Sequence, residues 1–199
     1  MIDPLILASG SNTRAEMLRR AGVVFECVVP RVDEDAIKES LLAEGSKPRD
    51  IADVLAEAKA RKVAGRYPQA LVLGSDQVLD FEGQLLSKPA SEAQALDQLR
   101  AMGGKRHSLF SAAVFYENGR PVWRHVGQVR LFMREASDDW LRDYVARNWD
   151  SIQHSVGAYK LEEEGVRLFT KIEGDHFNVL GMPLLEVLSY LTLRGTLPA

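Results

Sequence analysis

In the stretch LVLGSDQV (71–78) an apolar run gives way to Ser75, Asp76 and Gln77. In open α/β sheets ligands gather at the carboxyl ends of strands, so a carboxylate just after a strand is placed to act as a general base or a metal ligand. An aspartate there is also an ordinary turn residue. Position alone supports both readings. Three further places carry the same double meaning. ASGSNTR (8–14) combines small residues, a helix start with unpaired N–H groups and the donor fork of Arg14, which together make a phosphate cradle or simply a capped helix. RVDED (31–35) groups Asp33, Glu34 and Asp35, oxygen donors suited to Mg²⁺ or Mn²⁺ or to the first turn of a helix. Lys59 falls on an apolar helical stripe, and Lys88 follows in LLSKPAS; each reads as a phosphate ligand or as a solvated lysine.

Taken jointly, the four places favour chemistry. Arg14, Lys59 and Lys88 supply cations for a polyphosphate, while Glu34 and Asp76 supply carboxylates for a metal and a water, which are the parts that phosphoryl chemistry needs. No GxxxxGK[ST] loop is present, so the site is not built as in the common P-loop enzymes. Other constellations are weaker. The four histidines show no metal-ligand spacing, Ser9 and Ser11 have no local base that would make either a nucleophile, and the three tryptophans read as packing residues because no basic stretch interleaves them.

The elements that must position these residues alternate in type. LILA (5–8) predicts a strand, TRAEMLRRAG a helix with Thr13 as N-cap and Gly22 at its end, and VFECVV (24–29) a second strand in which Cys27 is buried. A helix is expected from Pro48 to about Arg66 with a stripe of Ile51, Val54, Leu55, Ala58 and Lys62, and Lys59 at its edge. ALVLG (70–74) predicts a strand, VLDFEGQLLSKP a hairpin turning at Glu82-Gly83, and Ser91 the cap of a helix to about Met102. Residues 108–133 predict a long hairpin around Asn118-Gly119, Ser137 a helix to about Asn148, and 182–194 a last helix with Pro183 in its first turn. The mixture of βα units and hairpins indicates an α/β protein with a mixed, curved central sheet and flanking helices.

With 199 residues, 46% hydrophobic, the chain is long enough for a sizeable core, and no linker divides it, so a single domain over 1–199 is expected. A net charge of −3 and the absence of a basic face argue against a nucleic-acid partner. The lone cysteine excludes an intrachain disulfide, and no leader or spanning segment is read, so a soluble, cytoplasmic protein without a membrane partner is expected.

The motifs LILASGSNTRAEMLRRAG, RVDED, LAEAKARKVA, LVLGSDQV, LLSKPAS, VGAYKLEEEG and GDHFNVLGMPLLEV, in that order, resemble the Maf family of nucleoside triphosphate pyrophosphatases, first discussed in connection with septum formation. The resemblance extends from residue 5 to about 190 and is specific as an ordered set. It implies an inosine triphosphate pyrophosphatase-like fold with two lobes around a cleft, usually a homodimer. It also implies a divalent-metal-dependent, house-cleaning hydrolysis of a nucleoside triphosphate to monophosphate and diphosphate. Asp76 matches the family's proton acceptor, and Ser9, Arg14, Glu34, Lys59 and Lys88 match the phosphate and metal site, with Glu34 and Asp76 toward the metal.

This chain departs from the common pattern at three points. SNTR stands where SPRR is usual, so Thr13 replaces an arginine; GSDQ and YKLEEEG stand where dTTP- and UTP-directed members read GADT and YGIQG. The last two changes resemble the 7-methyl-GTP branch. Gln77 can read a base edge or a ribose, and Glu162 as an acceptor suits a guanine edge or a methylated, positive purine. Thr13, Gln77 and Glu162 are therefore the expected specificity residues. A nucleotide-binding regulator of division with little turnover is the alternative from another class.

Overall fold

The computed structural model describes residues 4–198. Its elements are β1 (Leu5–Ala8), α1 (Asn12–Arg20), β2 (Glu26–Cys27), α2 (Glu34–Ala43), α3 (Pro48–Ala64), β3 (Leu71–Phe81), β4 (Gln84–Leu86), α4 (Glu92–Met102), β5 (Arg106–Glu117), β6 (Arg120–Met133), α5 (Asp138–Ile152), β7 (Phe169–Glu173), α6 (His176–Val179) and α7 (Leu184–Leu193). The strands form one mixed sheet in the order β2-β1-β3-β5-β6-β7, with β4 paired to β3. β1 runs parallel to both β2 and β3, whereas the β3–β4 and β6–β7 pairs are antiparallel. The expected α/β class with a mixed sheet is what the chain adopts.

Two compact units share the chain. The first holds the described residues up to Gln77, Ser111–Gly127 and the segment from Asp175 on; the second holds Val78–Phe110 and Gln128–Gly174. The division falls inside β3, β5 and β6.

In the first unit, β1 and β3 are buried on both faces, which is why each reads as an unbroken apolar run. Leu5 and Leu7 join Leu71 and Leu73, Phe115, α1 and α7 in one core cluster. The N-cap of α1 is Ser11, whose hydroxyl accepts from the Arg14 amide, and not Thr13 two residues later. Glu16 pairs with Arg20 at 2.9 Å. Gly22 ends the helix in the left-handed region, with its N–H on Arg19 and that of Val23 on Leu18. β2 is only two residues long and lies at the sheet edge, so Cys27 is exposed and the expected burial is overturned. On α3 the buried stripe runs through Ile51, Ala52, Leu55, Ala56, Lys59, Ala60 and Val63, while Val54 and Lys62 are exposed. The expected stripe is turned partly toward solvent, and Lys59 lies inside the buried stripe and not at its edge.

In the second unit, Glu82 and Gly83 take positive φ and reverse the chain between β3 and β4, as the sequence predicts. Ser91 and Ser137 cap α4 and α5 through their hydroxyls, and α5 extends to Ile152, four residues beyond expectation. His107 is buried, its Nε2 lies 2.7 Å from the Tyr159 hydroxyl, and both rings pack on Phe169. That contact fixes the start of the 159–165 stretch. Gly165 closes it, because a Cβ there would lie 2.5 Å from the Lys160 carbonyl oxygen.

Candidate active site

The parallel register of β1 and β3 ends at Ala8 opposite Gly74, so Ser9 and Ser75 follow side by side where β1 stops. β3 does not stop there. It continues through Ser75, Asp76 and Gln77 to Phe81, and the expected strand end at Gly74 is corrected. Polar residues persist within this strand because each one has a dedicated partner.

Strand alternation sorts those partners. Val72, Gly74 and Asp76 point to one face and Leu73, Ser75 and Gln77 to the other. On the first face lies α3, so close that a Cβ on Gly74 would stand 2.1 Å from the Ala56 carbonyl oxygen and 2.8 Å from the Ala60 Cβ. This close approach delivers Lys59 to Asp76. Its Nζ donates to Asp76 Oδ1 at 2.5 Å and lies 3.0 Å from Glu34 Oε1, at the start of α2. Lys59 and Asp76 are both buried, 6% and 5% exposed, so the Asp76 charge depends on Lys59, whereas Lys59 has Glu34 as a second partner. Glu34 is half-exposed and brings the second carboxylate from the acid-rich first turn of its helix.

Arg14 completes the charge set. Its Nε donates to the Gly181 carbonyl at 2.8 Å and its Nη1 approaches Ser9 Oγ at 3.5 Å. Burial pulls its pKa below the ordinary guanidinium value, opposed by the negative charges of Asp76 and Glu34. The Ser9 hydroxyl is also the acceptor for the Ser11 N–H, which folds the 9–11 turn against the helix start. Two cations and two carboxylates thus meet beside the end of β1.

The second face of β3 meets the segment 175–182, whose carbonyls accept from the strand. Ser75 Oγ donates to Gly181 O at 3.2 Å. The Gln77 amide nitrogen reaches Asn178 O at 2.8 Å, Val179 O at 3.1 Å and Ser111 Oγ at 2.9 Å, and the Ser111 hydroxyl donates to Asn178 O at 2.6 Å. Gly181 holds φ of 106°, and a Cβ there would lie in van der Waals contact with the Arg14 guanidinium, 3.4 Å from Nη2.

Of the residues singled out by sequence, Ser9, Arg14, Glu34, Lys59 and Asp76 come together in the first unit. Thr13 is half-exposed in the first turn of α1, and Gln77 sits on the face of β3 opposite Asp76. Lys88 and Glu162 belong to the second unit, where both are exposed. Sequence reading missed Ser75, Ser111 and the carbonyls of 178, 179 and 181. Ser111 carried a signal: Ala113 and Phe115, two and four residues on, face the core, which leaves a hydroxyl in register with an apolar face.

Among the described residues no group of three or more His, Cys, Asp or Glu side chains could hold a metal. Glu34 and Asp76, brought to one ammonium, fit a different site: Mg²⁺ commonly takes one or two carboxylates and completes its shell with water and substrate phosphates. No helix among the described residues is long and apolar enough to cross a membrane.

The chain is similar to known proteins over its whole length. The family described as Maf-like protein matches residues 4–193. A nucleoside triphosphate pyrophosphatase of Ruegeria pomeroyi is 66% identical over 99% of both chains, and one of Roseobacter denitrificans is 64% identical over 100% of both. A 7-methyl-GTP pyrophosphatase of Rhizobium etli is 43% identical over 99% of both chains.

Proposed function

The chain belongs to the Maf-like protein family, and from that membership and the site geometry we propose that this nucleoside triphosphate pyrophosphatase uses Asp76 to activate the attacking water. The water attacks at the α-phosphorus, the α–β bond breaks, and monophosphate and diphosphate leave. The observation that carries this reading is the buried Lys59 ammonium held between Asp76 at 2.5 Å and Glu34 at 3.0 Å. An ammonium has three donors; two meet carboxylates here, and the third serves a phosphate oxygen. Arg14, oriented by Gly181, offers its guanidinium as a second phosphate donor beside the Ser9 hydroxyl. Asp76, held opposite Lys59, takes the proton from water.

Glu34 and Asp76 would hold a divalent cation, Mg²⁺ or Mn²⁺, which when bound offsets the charge developing on the phosphate oxygens. With so few protein ligands, its affinity depends on the nucleotide. Lys88 and Glu162 enter by family resemblance, Lys88 as a phosphate ligand and Glu162 as a base contact. Thr13, Gln77 and Glu162 set the base, and we assign the preference to a guanine-type or methylated purine over dTTP and UTP. Resemblance also assigns a homodimer and a cytoplasmic location, the former measurable by light scattering.

The test is release of diphosphate from a panel of standard, methylated and other modified nucleoside triphosphates with Mg²⁺ and Mn²⁺. Metal-stimulated turnover, greatest on guanine-type or methylated substrates, is expected. Best turnover on dTTP or UTP overturns the base assignment, and tight nucleotide binding with negligible turnover makes the chain a binding regulator.

A further inference from the structure

The Gln77 side chain is set by its surroundings in one orientation. All three groups around its nitrogen are acceptors in this arrangement: the Asn178 carbonyl at 2.8 Å, the Val179 carbonyl at 3.1 Å and Ser111 Oγ at 2.9 Å. Carbonyl oxygens cannot donate, so a flipped amide would place its oxygen against two oxygens and lose these contacts. The Ser111 hydroxyl has a choice, since it can donate or accept. It spends its proton on Asn178 O at 2.6 Å and therefore presents a lone pair to Gln77. Ser111 is fully buried and answers to no solvent, so its hydroxyl has no competing partner. The Gln77 Oε1 makes no hydrogen bond among the described residues, and Gln77 is half-buried.

The backbone that carries the two carbonyls is itself pinned. Asp175 caps α6 by accepting from the Asn178 N–H at 3.1 Å, and the Asn178 amide side chain donates to the same carboxylate oxygen at 3.1 Å. Asn178 is buried, and Gly127 leaves the room it needs, since a Cβ there would stand 2.0 Å from Asn178 Oδ1. Capping, side-chain bonding and close packing therefore hold the Asn178 carbonyl at one place against β3 and β5.

We infer that Ser111 is a positioning residue for base recognition: with the Asn178 and Val179 carbonyls it fixes the Gln77 amide so that Gln77 meets the nucleotide through Oε1 alone. Gln77 then selects an N–H donor or a positively charged, alkylated edge and rejects a carbonyl acceptor at that point. The inference rests on the assignment of Gln77 as a specificity residue.

The experiment is a double-mutant cycle of Ser111→Ala and Gln77→Ala, read as the ratio of kcat/KM between the best purine triphosphate and UTP, with urea denaturation of each variant. Ser111→Ala leaves the amide held by the two carbonyls alone, so its Oε1 is aimed less tightly, and the ratio is expected to fall several-fold, up to about tenfold, the worth of one hydrogen bond of ordinary strength, mainly through a raised KM for the purine substrate. In the Gln77→Ala background the same change is expected to leave the ratio where Gln77→Ala put it. Ser111→Cys, close in volume and poor as an acceptor, takes the place of the alanine variant if that variant does not fold. An unchanged ratio in Ser111→Ala, or an equal effect with and without Gln77, overturns the positioning role. A ratio unmoved by Gln77→Ala itself overturns the specificity assignment instead, so the two failures are told apart.

Discussion

Asp76 and Lys59 are two charges in one buried pair, and substituting them separates catalysis from stability. Asp76→Asn keeps the shape of the side chain and removes the proton acceptor, so kcat is expected to fall by about 10²- to 10⁴-fold while the fold persists. Near-normal turnover in this variant, measured as diphosphate release, would move the base role to another group. Lys59→Met removes the partner of a carboxylate that is 5% exposed. An uncompensated buried charge is expensive, and a loss of about 3 kcal/mol in urea denaturation is expected. Adding Asp76→Asn to Lys59→Met removes the orphaned charge and should restore most of that loss without restoring activity. Lys88 is exposed and makes no ion pair among the described residues, so Lys88→Ala should shift stability by no more than about 0.5 kcal/mol while raising KM for the triphosphate. Sequence reading reached most of this residue set because a lysine on an apolar stripe and an acid after an apolar run are anomalies against simple periodicity. It could not reach the pairing itself, which depends on how near α3 comes to β3.

That nearness is a property of two elements and one glycine. The apolar run stops at Gly74 and so predicts a strand end there, yet β3 continues since helix, turn and carbonyl partners satisfy each polar side chain in place. The contacts that override propensity come from residues 17 to 106 positions away, beyond any local window. Cys27 shows the opposite error. Its apolar neighbours suggested a buried strand, but a two-residue edge strand has no layer to cover it. Gly74→Ala tests the helix–strand contact directly. The added methyl would overlap the Ala56 carbonyl, so α3 must shift, with an expected loss of about 1–3 kcal/mol. Because the same contact sets Lys59 against Asp76, turnover should fall as well, although neither charged residue has been touched. A variant as stable as the parent but inactive, or destabilised but fully active, would show that packing and charge placement are independent.

Across the whole chain, composition points to a globular protein, while the boundary between its two units is not legible because it cuts through β3, β5 and β6 and leaves no linker. The second unit also contains a group that ties global stability to pH. Burial pushes His107 down from its ordinary pKa of 6.5 to about 4, and its Nδ1 is buried without a partner, so the folded protein holds this imidazole neutral. An unfolded chain protonates the same histidine near 6.5. Between pH 6.5 and 4 the unfolded state therefore binds more protons, and stability must rise with pH across that window. Above pH 6.5 the contribution is complete; on acidification it is lost at up to about 1.4 kcal/mol per pH unit, roughly 3 kcal/mol in all, and levels off below pH 4. The carboxylates whose pKa values are lowered by arginine or lysine partners, Asp138, Glu164 and Glu173, lose their contributions as pH falls through the ordinary carboxylate range and below, so their windows open only at the acid end of that of His107. Urea denaturation at half-unit steps from pH 7.5 to 4 should show this slope in the parent protein and a much flatter one in His107→Phe, which keeps an aromatic ring against Tyr159 and Phe169 but cannot titrate. Equal slopes in the two proteins would mean that the acid sensitivity lies elsewhere and that the 107–159 contact is only packing.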